Sequence, residues 1–222
     1  MESFRTAIIT NAFAKFTTLA ILGSALTACG GNNISSGGAG QGPSTEAELL
    51  ARTIDYLTLI DRPDALGPDA LGPSGAITVA SASGTASFTG VGLVAVNFDL
   101  ISETGDAVLM GDAQIDVDFG NGDVDGSITN LFGVDLGENI DEYSGSIDIS
   151  GGSIGGADHN DISADYVGTI SGNDDTIVLS GQMFGTLLGN NSVKAIDMAD
   201  FGTGTFNGSG ASTLVGIVVE AD

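Results

Sequence analysis

The chain has 222 residues, with 29 Asp or Glu against 5 Lys or Arg, so its formal net charge is −24. This charge repels nucleic-acid phosphates and argues against DNA or RNA binding. One Cys and one His exclude an intrachain disulfide framework and the usual zinc centres, which need several such ligands. Because 42% of the residues are hydrophobic, the chain can still bury a core.

The N-terminal residues 1–28 have the pattern of a secretory signal peptide. Arg5 and Lys15 precede an apolar run over residues 16–26, and small residues follow. The run is shorter than the roughly 20 residues that a membrane span needs. We therefore expect this segment to direct export and to be removed.

The end of this segment, Leu26-Thr-Ala-Cys29-Gly30, resembles the lipobox of bacterial lipoproteins. The only Cys of the chain occupies the Cys position of that motif. The resemblance implies cleavage before Cys29, diacylglycerol on its thiol and an acyl chain such as palmitate on its amine, which together anchor a protein firmly. Gly30 replaces the Asp that commonly retains lipoproteins in the inner membrane, so we expect an outer-membrane lipoprotein at the cell surface.

Two segments separate this anchor from the rest of the chain. Residues 29–44 are mainly Gly, Ser and Asn, which is typical of a flexible tether. Residues 45–74 predict a short helix and then a Pro-rich spacer, with Thr45 and Glu48 forming a capping box. The apolar face of this helix carries four residues at helical spacing: Leu50, Ile54, Leu57 and Ile60.

Residues 75–222 predict an all-β domain. Apolar and polar residues alternate over residues 94–100 and again over 115–119, which places Asp116 and Asp118 on the face opposite the apolar side chains. Asn121-Gly122 then predicts a tight hairpin turn. Strands are expected at 84–90, 91–101, 107–119, 123–131, 143–150, 163–171, 175–185 and 211–220.

Eight strands joined by Gly, Asn and Asp turns favour an eight-stranded antiparallel β-barrel. Residues 186–206 are expected to be irregular, with a helical turn at 192–199. Aromatic residues make up only 6% of the chain, which argues against a membrane-spanning barrel with its aromatic girdles.

The β-region resembles the C-terminal β-barrel domain of transferrin-binding protein B and its relatives among bacterial surface lipoproteins. Four segments carry the resemblance: residues 84–90 (GTASFTG), 111–128 (GDAQIDVDFGNGDVDGSI), 179–185 (LSGQMFG) and 215–219 (VGIVV). Phe184 stands where the family usually has Tyr. The resemblance implies the barrel fold, a lipid-anchored place on the cell surface and solute or protein binding. No residue matches a transferrin contact, so it implies no ligand-binding residue.

Acidic residues on either side of the predicted turn are candidate metal ligands. Calcium takes six to eight oxygen ligands, and four carboxylates lie close in sequence: Asp116, Asp118, Asp123 and Asp125. The segment has neither the EF-hand order nor the repeated β-roll nonapeptide. The alternative is a solvated acidic turn that favours solubility.

The sequence carries no recognisable catalytic motif. A Gly-x-Ser-x-Gly elbow and a phosphate-binding Gly-x-x-x-x-Gly-Lys loop are missing, and there is no Trp to wall a sugar site. His159 lies between acidic residues in a segment with loop composition. We therefore expect a non-catalytic protein without a cofactor, whose barrel binds a protein or solute, in metal, haem or transferrin-like acquisition. A structural or calcium-dependent adhesion module is the alternative.

Overall fold

The computed structural model describes residues 79, 82–97, 105–134, 140–155, 160–172, 174–189 and 192–221. The predicted signal peptide, tether and short helix lie outside these residues, as do Cys29 and His159. Nearly all described residues are in strands: β1 (Thr85–Val96), β2 (Ala107–Asp118), β3 (Asp123–Val134), β4 (Ile140–Glu142), β5 (Ser144–Gly155), β6 (Asp161–Gly172), β7 (Asp175–Leu188), β8 (Ala195–Phe206) and β9 (Ser209–Ala221). Within this part of the chain, no helix is long and apolar enough to span a membrane.

Eight of these strands close into an antiparallel β-barrel, which confirms the predicted architecture. The order around the barrel is β1, β2, β3, β5, β6, β7, β8 and β9, and β9 pairs with β1 to close it. The short β4 pairs with the end of β3, where Phe132 lies opposite Glu142. Because consecutive barrel strands are antiparallel, hairpin-type connections suffice throughout.

Alternation along each strand separates the buried interior from the outer face. On β2, Ile115 and Val117 are buried in the core, whereas Asp116 is exposed and Asp118 is intermediate. This confirms that the two Asp side chains lie opposite the apolar ones. Phe119 is partly buried against the same core, as the sequence predicted.

The predicted turn at Asn121-Gly122 is confirmed as part of the four-residue connection between β2 and β3. Gly122 has a φ of +84°, and its N–H donates to the carbonyl of Asp118 at 2.7 Å. The side-chain carbonyl of Asn121 accepts a hydrogen bond from the Asp123 N–H at 3.0 Å. The turn therefore fixes the register of the hairpin.

The predicted break between strands 84–90 and 91–101 is wrong, since β1 runs through it. Gly90 and Gly92 of this strand lie where side chains and backbone of neighbouring strands crowd the interior. A Cβ atom on Gly92 would lie 2.5 Å from Cγ2 of Ile128. Glycine at this inward position therefore makes room for a side chain of β3.

The predicted irregular segment at 186–206 and its helical turn at 192–199 are also wrong. Residues 195–206 form β8, a full barrel strand. Its first inward residues, Ile196 and Met198, are apolar, but the next inward positions are Asp200 and Gly202. Tyr166 of β6 fills this region. Its hydroxyl donates a hydrogen bond to Asp200. A Cβ atom added to Gly202 would lie 3.3 Å from the same hydroxyl. The Tyr166 side chain thus fills the interior where β8 has no inward apolar residues of its own. For this reason β8 lacks the apolar alternation that would have predicted a strand.

Candidate binding surface

The interior of the barrel is filled by side chains from all eight barrel strands. Its largest members, including Phe88, Ile128 and Leu179, are 0–1% exposed. An eight-stranded barrel has an interior just wide enough for such side chains. A ligand is therefore expected to bind on the outer face or on the loops.

One polar pair joins Tyr166, which belongs to this core, to the partly buried Asp200. The Tyr166 hydroxyl donates to Oδ2 of Asp200 at 2.9 Å. Burial raises the pKa of Tyr166 well above its usual range, and the hydrogen bond to Asp200 and the charge of that carboxylate raise it further. Tyr166 therefore stays protonated at neutral pH and acts as a hydrogen-bond donor that links β6 to β8, not as a base or nucleophile.

The four candidate calcium ligands form two cross-strand pairs on the β2–β3 hairpin. Asp116 lies directly opposite Asp125, and Asp118 lies opposite Asp123. Like charges at opposed positions repel each other, so the pairs need compensation from hydrogen-bond donors.

Donors from the protein already bind the carboxylates on β2. Asp116 accepts hydrogen bonds from the Ser87 hydroxyl and, at 3.1 Å, from the side-chain amide of Gln114. Asp118 accepts one from the Gly120 N–H at 2.8 Å. Across the described ranges, no three His, Cys, Asp or Glu residues form a group that could hold a metal ion. Two of the four candidate ligands, Asp116 and Asp118, thus have hydrogen-bond donors from the protein itself.

The outer face carries a patch of exposed apolar side chains that the sequence did not single out as a site. Among the described residues, four large hydrophobic side chains are exposed by 42–60%, and all lie on three adjacent strands: Val167 on β6, Val178 and Phe184 on β7, and Phe201 on β8. We refer to these four residues as the β6–β8 patch. The outward positions of β5, by contrast, include the polar residues Ser146, Asp148 and Ser150.

Two phenylalanines form the centre of the β6–β8 patch. Phe184 lies opposite Ala199, and Phe201 is the next outward residue along β8. This diagonal relation brings two aromatic side chains within about 7–8 Å of each other. Phe184 is 56% exposed and Phe201 is 60% exposed, so both rings are available to a partner.

The surroundings of the patch are acidic. The side-chain amide of Gln182, next to Phe184 along β7, donates to Asp165 at 3.0 Å. Lys194 is the only basic residue in the described part of the chain, and it precedes β8. The surface therefore offers an aromatic centre with a negatively charged rim, which complements an apolar site with a basic rim.

The alternation of inward and outward residues along β7 could have predicted that Phe184 is exposed. Met183 is buried at 0% exposure, so its neighbour Phe184 must face outward among polar residues such as Gln182. Applying that period to the whole of β7 predicts an exposed aromatic ring. Phe201 carried no such signal, because β8 itself was missed.

Comparisons with protein-family models, with curated proteins and with solved structures find no match for this chain.

Proposed function

We propose that this chain is a non-catalytic, lipid-anchored binding protein of the bacterial outer-membrane surface, and that its barrel binds a protein ligand through the β6–β8 patch. The observation that carries the proposal is the exposure of two neighbouring phenylalanines, Phe184 and Phe201, on a barrel whose only other exposed large apolar side chains, among the described residues, are Val167 and Val178. Aromatic side chains supply much of the energy of protein–protein interfaces. A filled interior favours this kind of ligand over a small solute held inside the barrel.

The anchor and the location rest on the sequence. The lipobox supports lipidation at Cys29, and the residues before it support export. The resemblance to the transferrin-binding protein B family implies an eight-stranded barrel, which is the fold this chain has. The same resemblance suggests that the ligand takes part in iron or haem acquisition.

Charge narrows the class of ligand further. A net charge of −24 attracts a cationic partner over several ångströms and speeds its association. The aromatic centre of the patch then supplies the contact that is buried in the complex. We therefore expect a basic protein surface with an apolar depression.

The experiment is a pull-down with the immobilised chain against culture medium and periplasmic fractions, followed by identification of the retained proteins. The variant Phe184→Ser/Phe201→Ser removes the two rings. The matched control, Asp125→Asn, changes an exposed residue on β3, which lies four strands away from β8 around the barrel. Substitutions at exposed sites change stability little, so both variants should fold.

A protein retained by the unchanged chain and by Asp125→Asn, but held at least about tenfold more weakly by the double serine variant, would support the proposal. An iron-carrying protein among the retained ones would also support the role in acquisition. Equal retention by all three forms would exclude the β6–β8 patch, and capture of haem or iron without any protein would indicate a solute ligand instead.

A further inference from the structure

The pairing between β7 and β8 is interrupted in the middle of the two strands. Pairing stops where Leu179 lies opposite Gly204. It resumes where Phe184 lies opposite Ala199, in an unchanged register, so no bulge causes the interruption. Each strand remains paired with its other neighbour, β6 or β9, along this stretch. We call the two stretches that face each other without pairing the seam: residues 180–183 of β7 and 200–203 of β8.

The inward glycines of β7 and β8 show how the seam differs from the paired part of the strands. A Cβ atom on Gly185, where the strands are paired, would collide with the backbone carbonyl oxygen of Asp197 on β8. A Cβ atom on Gly202 would meet no backbone atom of β7 within 3.6 Å. Its nearest neighbours would instead be Oδ2 of Asp200 at 2.8 Å and the Tyr166 hydroxyl at 3.3 Å. The polar pair therefore lies at the point where the two backbones are not joined.

Solvent reaches the seam through the wall of the barrel. Asp200 is an inward residue of β8, yet it is partly exposed. Inward side chains toward either end of the barrel are 0% exposed: Ile177, Leu179, Met183 and Leu187 on β7, and Ile196 and Met198 on β8. Outward residues of the seam such as Gln182 and Phe201 are exposed. The approach to Asp200 therefore leads from the outer face and not from an end of the barrel.

A buried hydroxyl without a partner lies beneath the seam. Thr213 of β9 lies opposite Gly202 and is 5% exposed. Its Oγ1 atom has no hydrogen-bond partner in the part of the chain that the structure describes. Burial and Asp200 raise the pKa of Tyr166, while the Thr213 hydroxyl acts in the opposite direction, so the two hydroxyls lie close together. Because an unpartnered buried hydroxyl is costly, a ligand that bonds to Oγ1 is favoured here.

The groups at the seam match the chemistry of a guanidinium group. Asp200 accepts the Tyr166 hydroxyl through Oδ2, which leaves Oδ1 as an acceptor. A guanidinium carries five N–H donors in one plane and can donate to a carboxylate and to a hydroxyl oxygen together. The exposed rings of Phe184 and Phe201 flank the approach, and aromatic faces attract cations. Lys194, the only basic residue of the described ranges, precedes β8 and lies outside the seam.

We propose that the seam is a binding site for a guanidinium group, which enters from the outer face beside Phe184 and Phe201 and pairs with Asp200 and Thr213. An arginine side chain of the protein ligand is one source of this group, and a small free guanidinium compound is the other. The inference deepens the proposed function, and it rests on that function for the first source.

Titration of the isotope-labelled full chain with methylguanidinium chloride, followed by NMR at constant ionic strength, tests the site. The amide signals of Gly181 and Gly202 report on the seam. N-Methylurea is the matched probe, because it has nearly the same shape and no charge. The variant Asp200→Asn removes the charge and keeps a side-chain oxygen for the tyrosine hydroxyl. The matched control is Asp165→Asn, an exposed carboxylate on β6 that bonds to Gln182 beside the patch.

We expect methylguanidinium to shift both glycine amides in a saturable way and N-methylurea to leave them in place. Binding should be at least about tenfold weaker in Asp200→Asn and unchanged in Asp165→Asn. Thr213→Val removes the unpartnered hydroxyl from an apolar surrounding, so it should fold and bind about threefold more weakly. It keeps the test valid if Asp200→Asn does not fold. Equal shifts with both probes, or undiminished binding in the Asp200 and Thr213 variants, would overturn the proposal.

Adding methylguanidinium to the pull-down distinguishes the two sources of the group. Release of the retained protein by methylguanidinium, but not by N-methylurea, would assign the guanidinium to an arginine of that protein. A successful titration with retention unchanged would assign it to a free compound. A successful titration without any protein retained through the β6–β8 patch would overturn the proposed function and support the seam as a site. Retention through the patch without methylguanidinium binding would overturn this inference and leave the proposed function standing.

Discussion

Tyr166 and Asp200 show how one polar pair can organise an apolar barrel. The tyrosine ring fills the interior beside β8, while its hydroxyl donates to Asp200. A buried hydroxyl without a partner would be costly. The partly buried Asp200 therefore compensates for the burial of the Tyr166 hydroxyl.

The pair predicts that stability falls at alkaline pH. The pKa of Tyr166 is raised in the folded chain, first by burial and then by Asp200, so the folded state holds the proton more tightly than the unfolded state. This contribution to stability is complete below the unfolded pKa of about 10 and is lost as the pH rises above it. Melting temperatures between pH 8 and pH 11 should fall, and the fall should be shallower in Tyr166→Phe.

Tyr143 limits how far that substitution can flatten the curve. Burial raises the pKa of Tyr143 too, with the charges of Asp175 and Asp141 adding to it. Tyr166→Phe should therefore retain part of the decline. Identical pH profiles for Tyr166→Phe and the unchanged chain would show that the titration of Tyr166 contributes nothing to this dependence.

Glycine at position 181 keeps room for the same pair. A Cβ atom there would lie 2.5 Å from Oδ2 of Asp200 and 2.7 Å from the Tyr166 hydroxyl. We expect Gly181→Ala to lower the free energy of unfolding by about 1–3 kcal/mol, as overpacking does elsewhere. Urea denaturation measures this, with Gly210→Ala as the control, because a Cβ atom on Gly210 meets nothing within 4 Å. Equal stability of the two variants would contradict the prediction.

At the scale of elements, the β8–β9 hairpin is built around Asn207-Gly208. Asn207 has a φ of +51° and Gly208 a φ of +75°, which is the left-handed conformation of a tight hairpin turn. The Asn207 side chain accepts a hydrogen bond from the Thr176 N–H and donates one to Asp175, both at 2.8 Å. The turn thus also holds the start of β7.

Asn207→Ala should destabilise the chain by about 1–2 kcal/mol, because Ala resists this conformation and makes neither hydrogen bond. Asn207→Gly keeps the backbone conformation and loses only the hydrogen bonds, so its loss should be smaller. Urea denaturation of both variants separates the two causes. A loss in Asn207→Gly as large as that in Asn207→Ala would assign the whole effect to the side chain.

For the whole molecule, charge dominates the response to salt. A net charge of −24 repels itself in the folded state, and ions screen that repulsion. We expect the melting temperature to rise with NaCl, and CaCl₂ to raise it no more than MgCl₂ at equal ionic strength. The reason is that Asp116 and Asp118 already accept hydrogen bonds from the protein.

Thermal melting in the three salts checks this expectation. A rise specific to calcium and lost in Asp116→Asn/Asp118→Asn would instead support the calcium-dependent adhesion module. Loss of the calcium effect in that variant but not in Asp148→Asn, an exposed carboxylate on β5, would locate the site at the hairpin.

The local pattern of apolar, polar and turn residues was sufficient to predict most of the barrel. Alternation with a period of two identifies which residues of β2 and β3 face inward, because the pleat of a strand imposes that period without help from neighbours. The turn at Asn121-Gly122 was likewise predictable, since its conformation depends on the residues that form it. The antiparallel barrel and the outward position of Asp116 followed from the sequence for these reasons.

Only the tertiary structure decided the formation of β8 and which outward apolar side chains are exposed. The inward side of β8 is completed by Tyr166, a residue 34 positions away from Asp200, so no window of the sequence contains the pattern. Leu93 and Phe184 are both apolar and both face outward, yet one is 3% exposed and the other 56%. That difference depends on what lies over each strand, which is a property of the folded chain and not of its local sequence.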